Sequence, residues 1–189
     1  MTDEERLIGI LRASPTLVRV MEGLRDLALP DWRLVSGCLY QTAWNALTGR
    51  GPDYGLKDYD AVYFDPDTAY EAEDVHIKRA AAAFEAPLGA MVEVRNQARV
   101  HLWFEQKFGE PYAPLTRTDE ALERFVCPAF AVGARLEADG CITLAAPFGL
   151  DDLFAMRLRP NPRRPINPAG FARICASAQG RWPELTVTT

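Results

Sequence analysis

The stretch "LKDYDAVYFD", Leu56 to Asp65, sets aspartates at 58, 60 and 65 among residues that otherwise favour a buried strand. Successive side chains of a strand point to opposite faces, so Asp58 and Asp60 share one face, with Cα atoms roughly 6.5–7 Å apart. Tyr59, Ala61 and Tyr63 share the other face and read as core. Carboxylates that close together repel, and burying either one raises its pKa or costs several kcal/mol. A cation removes the conflict. Magnesium takes one or two carboxylates together with phosphate oxygens of a substrate. Two such ions about 3.5–4 Å apart can activate a nucleophile and stabilise a leaving oxygen in phosphoryl or nucleotidyl transfer. Asp-x-Asp is also the pattern of solvated acids at an exposed strand end, so the pair needs company before it means chemistry.

Two neighbours supply it. In "VSGC", Val35 to Cys38, a predicted strand turns into a helix at Gly37, where backbone N–H groups can approach a phosphate closely. In "AMVEVR", residues 90–95, Glu93 interrupts an apolar strand, and a carboxylate there must be paired, liganding or at an exposed edge. Asn96 and Arg99 follow directly and are candidates to touch a phosphate or an acceptor; as a helix cap and a salt-bridged arginine they would be purely structural. Asp65 stands before Pro66 with the opposite parity to Asp58 and reads as turn chemistry. Asp151 and Asp152 read as a helix start, where acids complement the dipole. Arg157, Arg159 and Arg164 are either a triphosphate clamp or solvated surface charges. His76 and His101 are the only histidines, so the metal on offer is a hard, oxygen-liganded one.

These residues need strands beside helices, and the pattern provides them. Helices are expected over 3–12 and 15–28, with Ser14 as a cap and Pro15 at the first helical position. A strand over 32–37 leads to a helix over 38–49, and the acid strand spans 57–64. A turn and a long helix follow, with Asp67 as N-cap, then the Glu93 strand and a helix over 96–109 ending at Gly109. Further on, a short helix over 118–126, a strand over 140–145, a helix in "PFGLDDLF" and a last helix over 167–178 are expected. Four prolines keep "RPNPRRPINP" extended. The chain has 189 residues and a net charge of −5, so no general attraction to nucleic acid or anionic lipid is expected. No apolar window is long enough for a transmembrane helix. The acidic start lacks the character of a signal peptide. Cysteines at 38, 127, 141 and 175 form no Cys-x-x-Cys pair and read as reduced thiols of a cytoplasmic protein.

The ordered set of glycine turn, Asp-x-Asp and third acid resembles the nucleotidyltransferase superfamily that includes DNA polymerase beta. More closely, "QTAWN", "DYDAVYFD", "EVRNQARVHLWF", "PFGLDDLF" and "RPN", spread over residues 41–161, resemble a bacterial nucleotidyltransferase-like family of unassigned substrate. The resemblance implies an α+β fold, a mixed sheet with helices packed on it, as one domain: a palm-like core of about 30–110 and an irregular annex of about 111–189. It implies Asp58 and Asp60 as ligands of Mg2+ or Mn2+, Glu93 as third carboxylate and general base or shared ligand, and Gly37 as the turn glycine. Cys38 stands where that superfamily usually has Ser or Gly, leaving only its backbone for a phosphate. Nucleotide contacts are thus expected from Gly37, Cys38, Asn96 and Arg99. The expected reaction moves an NMP from an NTP to a small-molecule or protein acceptor. The departure at Cys38, and a long gap between Gly37 and Asp58, keep open a second expectation: an inactive nucleotide-sensing or protein-interaction module.

Overall fold

A computed structural model describes residues 1–188. Helix α1 (Asp3–Arg12) starts at a reciprocal cap, in which the Thr2 hydroxyl accepts from the Glu5 N–H and the Glu5 carboxylate accepts from the Thr2 N–H. Helix α2 (Pro15–Leu27) starts where expected, with Ser14 as N-cap and Pro15 at its first position. Strand β1 (Arg33–Val35) turns directly into α3 (Gly37–Leu47). Strand β2 (Tyr59–Tyr63), helix α4 (Tyr70–Ala82) and strand β3 (Val92–Asn96) follow, then the short α5 (Phe104–Phe108). The C-terminal half adds β4 (Gly133–Leu136), β5 (Ile142–Ala145), α6 (Asp151–Phe154), β6 (Arg157–Leu158), α7 (Pro168–Gln179) and β7 (Thr186–Val187). No described helix is long and apolar enough to cross a membrane.

The fold is α+β. A mixed five-stranded sheet has the order β3-β2-β1-β4-β5; β2 and β3 run parallel and the other pairs antiparallel. Strands β6 and β7 form a separate parallel pair. One face of the large sheet is dry: Leu34, Tyr59, Ala61, Tyr63, Val92 and Val94 pack against Leu7, Leu11, Leu17, Met21 and Leu24 of the first two helices. A second cluster gathers Trp44, Phe130, Leu158, Phe171 and Trp182. Helix α3 belongs to both clusters, giving Leu39 and Ala43 to the first and Trp44 to the second. The acid-bearing face of the sheet is covered only in part, by Leu122 and Ala131 over Val35 and Val62.

Several expected elements change form. The single helix over 96–109 is a 3₁₀ turn, Gln97–Leu102, followed by α5, because Trp103 adopts a non-helical φ of −130° between them. Gly109, in the left-handed region at φ 71°, ends that segment as expected. The helix over 118–126 is a 3₁₀ run, Thr118–Arg124. Asp67 is not the N-cap of α4: Ala69 holds that position, and the Asp67 carboxylate accepts from the Ala69 N–H at 2.9 Å as a turn before the helix. The sequence pattern did not announce β4, β6 and β7, whose runs are short and, in β4, begin at a glycine.

Candidate active site

Strand register assembles the acids. Val35 of β1 lies opposite Asp60 of β2, and Asp60 lies beside Glu93 of β3. Register partners share a face, so Val35, Asp60 and Glu93 form a row across three adjacent strands. Asp58, one residue before β2 begins, shares that face by parity. Tyr59, Ala61 and Tyr63 lie on the opposite, buried face, as their alternation predicts. Asp58 and Glu93 are exposed, while Asp60 is half-buried. Burial, with the charge of Asp58 and then that of Glu93, pushes the Asp60 carboxyl up to about 6; a hydrogen bond from the Ser36 side chain and the charge of Arg95 pull the other way.

The acids of this row differ in their ties. Glu93 is engaged by Arg95 Nη2 at 3.3 Å, which holds its carboxylate beside its own strand neighbour. Among the described residues no three His, Cys, Asp or Glu side chains close to the spacing of a metal site. The donor set nevertheless suits a hard divalent cation. It offers only carboxylate oxygens, and the raised pKa of Asp60 records burial first and like-charge repulsion second, both of which a cation would relieve. Asp60 on β2 and Asp58 just before it are the candidate ligands, and Glu93 would join them by leaving Arg95.

The turn between β1 and α3 is built differently from the sequence expectation. Ser36, not Gly37, carries the unusual backbone, with φ 67° and ψ −145°. That region is essentially reserved for glycine and costs of order 1–3 kcal/mol elsewhere. Gly37 is the first residue of α3, and a Cβ there would lie 2.6 Å from Gln41 Nε2. Helix α3 begins without a side-chain cap, which leaves N-terminal N–H groups for another acceptor beside Asp60. Cys38 turns inward: its thiol is buried, donates to the Val35 carbonyl at 3.2 Å, and has a pKa driven well up by burial and then by the Asp60 charge.

Asn96 and Arg99 lie apart from the acid row. Asn96 has the parity of Val92 and Val94, and its buried amide is fully used. Its Nδ2 donates to the carbonyls of Asp65 at 2.9 Å and Asp67 at 3.0 Å, and its Oδ1 accepts from the N–H groups of Asp65 and Ala98, both at 3.1 Å. Arg99 pairs with Glu73 at 2.9 Å and donates to the Thr68 carbonyl. Both residues tie the end of β3 to the loop before α4. Asp65 is turn chemistry as expected, accepting from the Asp67 N–H at 2.9 Å. Arg157 and Arg159 are held by the buried Asp152, each at 2.6 Å, and Arg164 is held by Glu110 at 2.6 Å. None of the three is left over as a free clamp.

A cavity of about 770 Å³ opens at Ser36 and Tyr40. Phe104, Phe108, Phe130 and Phe171 contribute its apolar wall, and Tyr40 stacks on Phe130 with ring centroids 4.4 Å apart. Arg124, Arg164, Arg173 and Arg181 also line it, against the single carboxylate of Glu110. Cations and aromatic rings beside an acid row suit a planar, anionic molecule. Ser36 and this cavity escaped the reading of the sequence. The only local signal for Ser36 was its place before Gly37, and the cavity joins segments from four parts of the chain.

Comparison with known proteins gives two matches. A family model described as "Nucleotidyltransferase" matches residues 22–187. A solved structure, described as an NMR structure that reveals a CCA-adding enzyme head domain, is similar over 98% of this chain and 95% of that one, with 25% identity and a TM-score of 0.77. No curated protein matches the chain.

Proposed function

The chain belongs to the nucleotidyltransferase family, and from that premise we propose that it moves a nucleoside monophosphate from an NTP to a small-molecule or protein acceptor, with Mg2+ or Mn2+ at the acid row. The observation that carries this reading is the register row of Asp60 and Glu93, joined by Asp58 and set beside the uncapped turn at Ser36 and Gly37. Asp58 and Asp60 would hold the cation, which when bound neutralises phosphate charge and lowers the pKa of the attacking group. Glu93, released from Arg95, accepts the proton of the attacking group or shares the cation. The N–H groups at the start of α3 receive a phosphate oxygen. The Phe130 and Tyr40 rings receive the base, and Arg124, Arg173 and Arg181 of the cavity the remaining negative charge.

The similar solved structure is described as part of a CCA-adding enzyme. For the present chain, the net charge of −5 favours a small or protein acceptor over a long nucleic acid. A second reading, a module that senses a nucleotide or docks a protein without chemistry, draws on the tie between Glu93 and Arg95 and on the lack of a closed three-ligand cluster among the described residues.

Calorimetric titration of the four NTPs separates the two readings. With Mg2+, wild type is expected to bind one or more of them, and Asp58→Asn/Asp60→Asn is expected to lose that binding. Binding that is indifferent to EDTA and to the double substitution would leave the sensing module in place of the transferase.

A further inference from the structure

Arg181 lies just beyond the end of α7 and lines the cavity together with Ser36 and Tyr40. Its neighbours hold it without neutralising it. Nη1 donates to Gln41 Oε1 at 3.3 Å and to the Gly55 carbonyl at 3.2 Å. The guanidinium carbon sits 4.6 Å from the centre of the Trp182 ring. No ion pair with a carboxylate is found for it among the described residues. A partly buried cation fixed by neutral groups has lost water without gaining a counter-charge, a cost that an anion removes.

Its position says which anion. Gln41 is the side chain whose amide lies against Gly37, so Arg181 is linked through one residue to the turn beside the acid row. The charge of Arg181 also reaches Tyr40, whose hydroxyl is otherwise pushed up in pKa by burial. Of the other cavity cations, Arg164 is paired with Glu110, Arg124 lies over the Tyr112 ring, and Arg173 is exposed, so Arg181 is the one that is both partly buried and held by neutral hydrogen-bond partners.

We propose that Arg181 binds the outer phosphates of the nucleotide, those that depart as pyrophosphate, and that Gln41, the Gly55 carbonyl and Trp182 are its positioning groups. This assignment rests on the nucleotidyl-transfer reading of the same site. In the reaction the acceptor oxygen forms a bond to the α-phosphorus, and the bond from that phosphorus to the bridging oxygen breaks. The electron pair stays on the departing pyrophosphate, and the acceptor proton passes to a carboxylate of the acid row. Arg181 meets the charge that develops on the leaving group.

The test is calorimetric titration of inorganic pyrophosphate and tripolyphosphate, in EDTA, into wild type, Arg181→Lys and Arg181→Gln. Wild type binds both; Arg181→Gln weakens them by about tenfold or more. Arg181→Lys recovers part of the loss, because the charge is kept while the planar fork is not. Affinity for nucleoside monophosphates stays within about twofold, and the thermal midpoint holds. Unchanged polyphosphate affinity in Arg181→Gln overturns the proposal, as does a wild type that binds neither polyphosphate. A parallel loss of monophosphate affinity with a lowered midpoint also overturns it, by making Arg181 a brace of the loop at Gly55. Asp58→Asn/Asp60→Asn run in the same series keeps the two readings separate. Retained NTP binding with Mg2+ in that variant removes the acid-row reading, while the polyphosphate arm still decides Arg181.

Discussion

Asp60 concentrates the electrostatics of the acid row. Its carboxyl rises from an ordinary 3.8 to about 6, through burial first and the charge of Asp58 next. Folded protein therefore binds more protons than unfolded protein between those values. The contribution of Asp60 to stability is greatest below the unfolded pKa and is lost as pH rises through the window of about 4 to 6. A shift of that size corresponds to about 2–3 kcal/mol. Asp60→Asn removes the titration. Its metal-free form is expected to be more stable than wild type by about 1–3 kcal/mol at pH 7, with the gap closing below about pH 4. Urea unfolding in EDTA across that range measures it. A constant gap would mean that the strain at Asp60 lies in packing and not in charge. Mg2+ at pH 7 should raise the midpoint of wild type and leave Asp60→Asn nearly unmoved, because only a ligand of the native site stabilises by mass action.

At the scale of elements, the end of β3 is fixed by one side chain. Asn96 satisfies two carbonyls and two N–H groups at a corner that is buried at Ala98 and partly open at Asp65 and Asp67. Asn96→Ala should lower stability by about 1–3 kcal/mol, since it strands the buried Ala98 N–H and loosens three partly buried groups. NTP affinity, measured well below the new midpoint, should hold. Weaker nucleotide binding with stability intact would return Asn96 to the nucleotide site that the sequence suggested for it. The turn from β1 to α3 works in the other direction. Ser36 tolerates a backbone suited to glycine directly after Val35, the register partner of Asp60. A locally strained residue that survives beside an acid row points to a role in the site.

For the whole molecule, α3 decides how the halves behave. Trp44 reaches the second cluster, and its Nε1 donates to the Leu153 carbonyl at 3.1 Å. The next residue, Asn45, donates from its amide to the carbonyls of Pro52 and Tyr54 and accepts from Trp182 Nε1 at 2.9 Å. Such sharing predicts one unfolding transition, coincident by far-ultraviolet circular dichroism and tryptophan fluorescence. Trp182→Ala, at a fully buried position, should cost about 3–5 kcal/mol and shift both signals together. Separate transitions would show that the second cluster melts by itself. The sequence by itself determined what periodicity and capping determine. The alternation through Tyr59 to Tyr63 separated a wet acid face from a dry one, Glu93 stood out in its strand, and Ser14 and Asn96 announced themselves as caps. These are short-range effects, set by neighbouring residues. Tertiary structure alone decided that β1 lies between β2 and β4, that Asp60 meets Glu93 in register, and that Arg164 meets Glu110. It also brought Arg181 to the turn at Ser36, more than a hundred positions away in the chain. Such contacts depend on which surfaces pack once the chain has closed its long loops, and no local pattern encodes that choice.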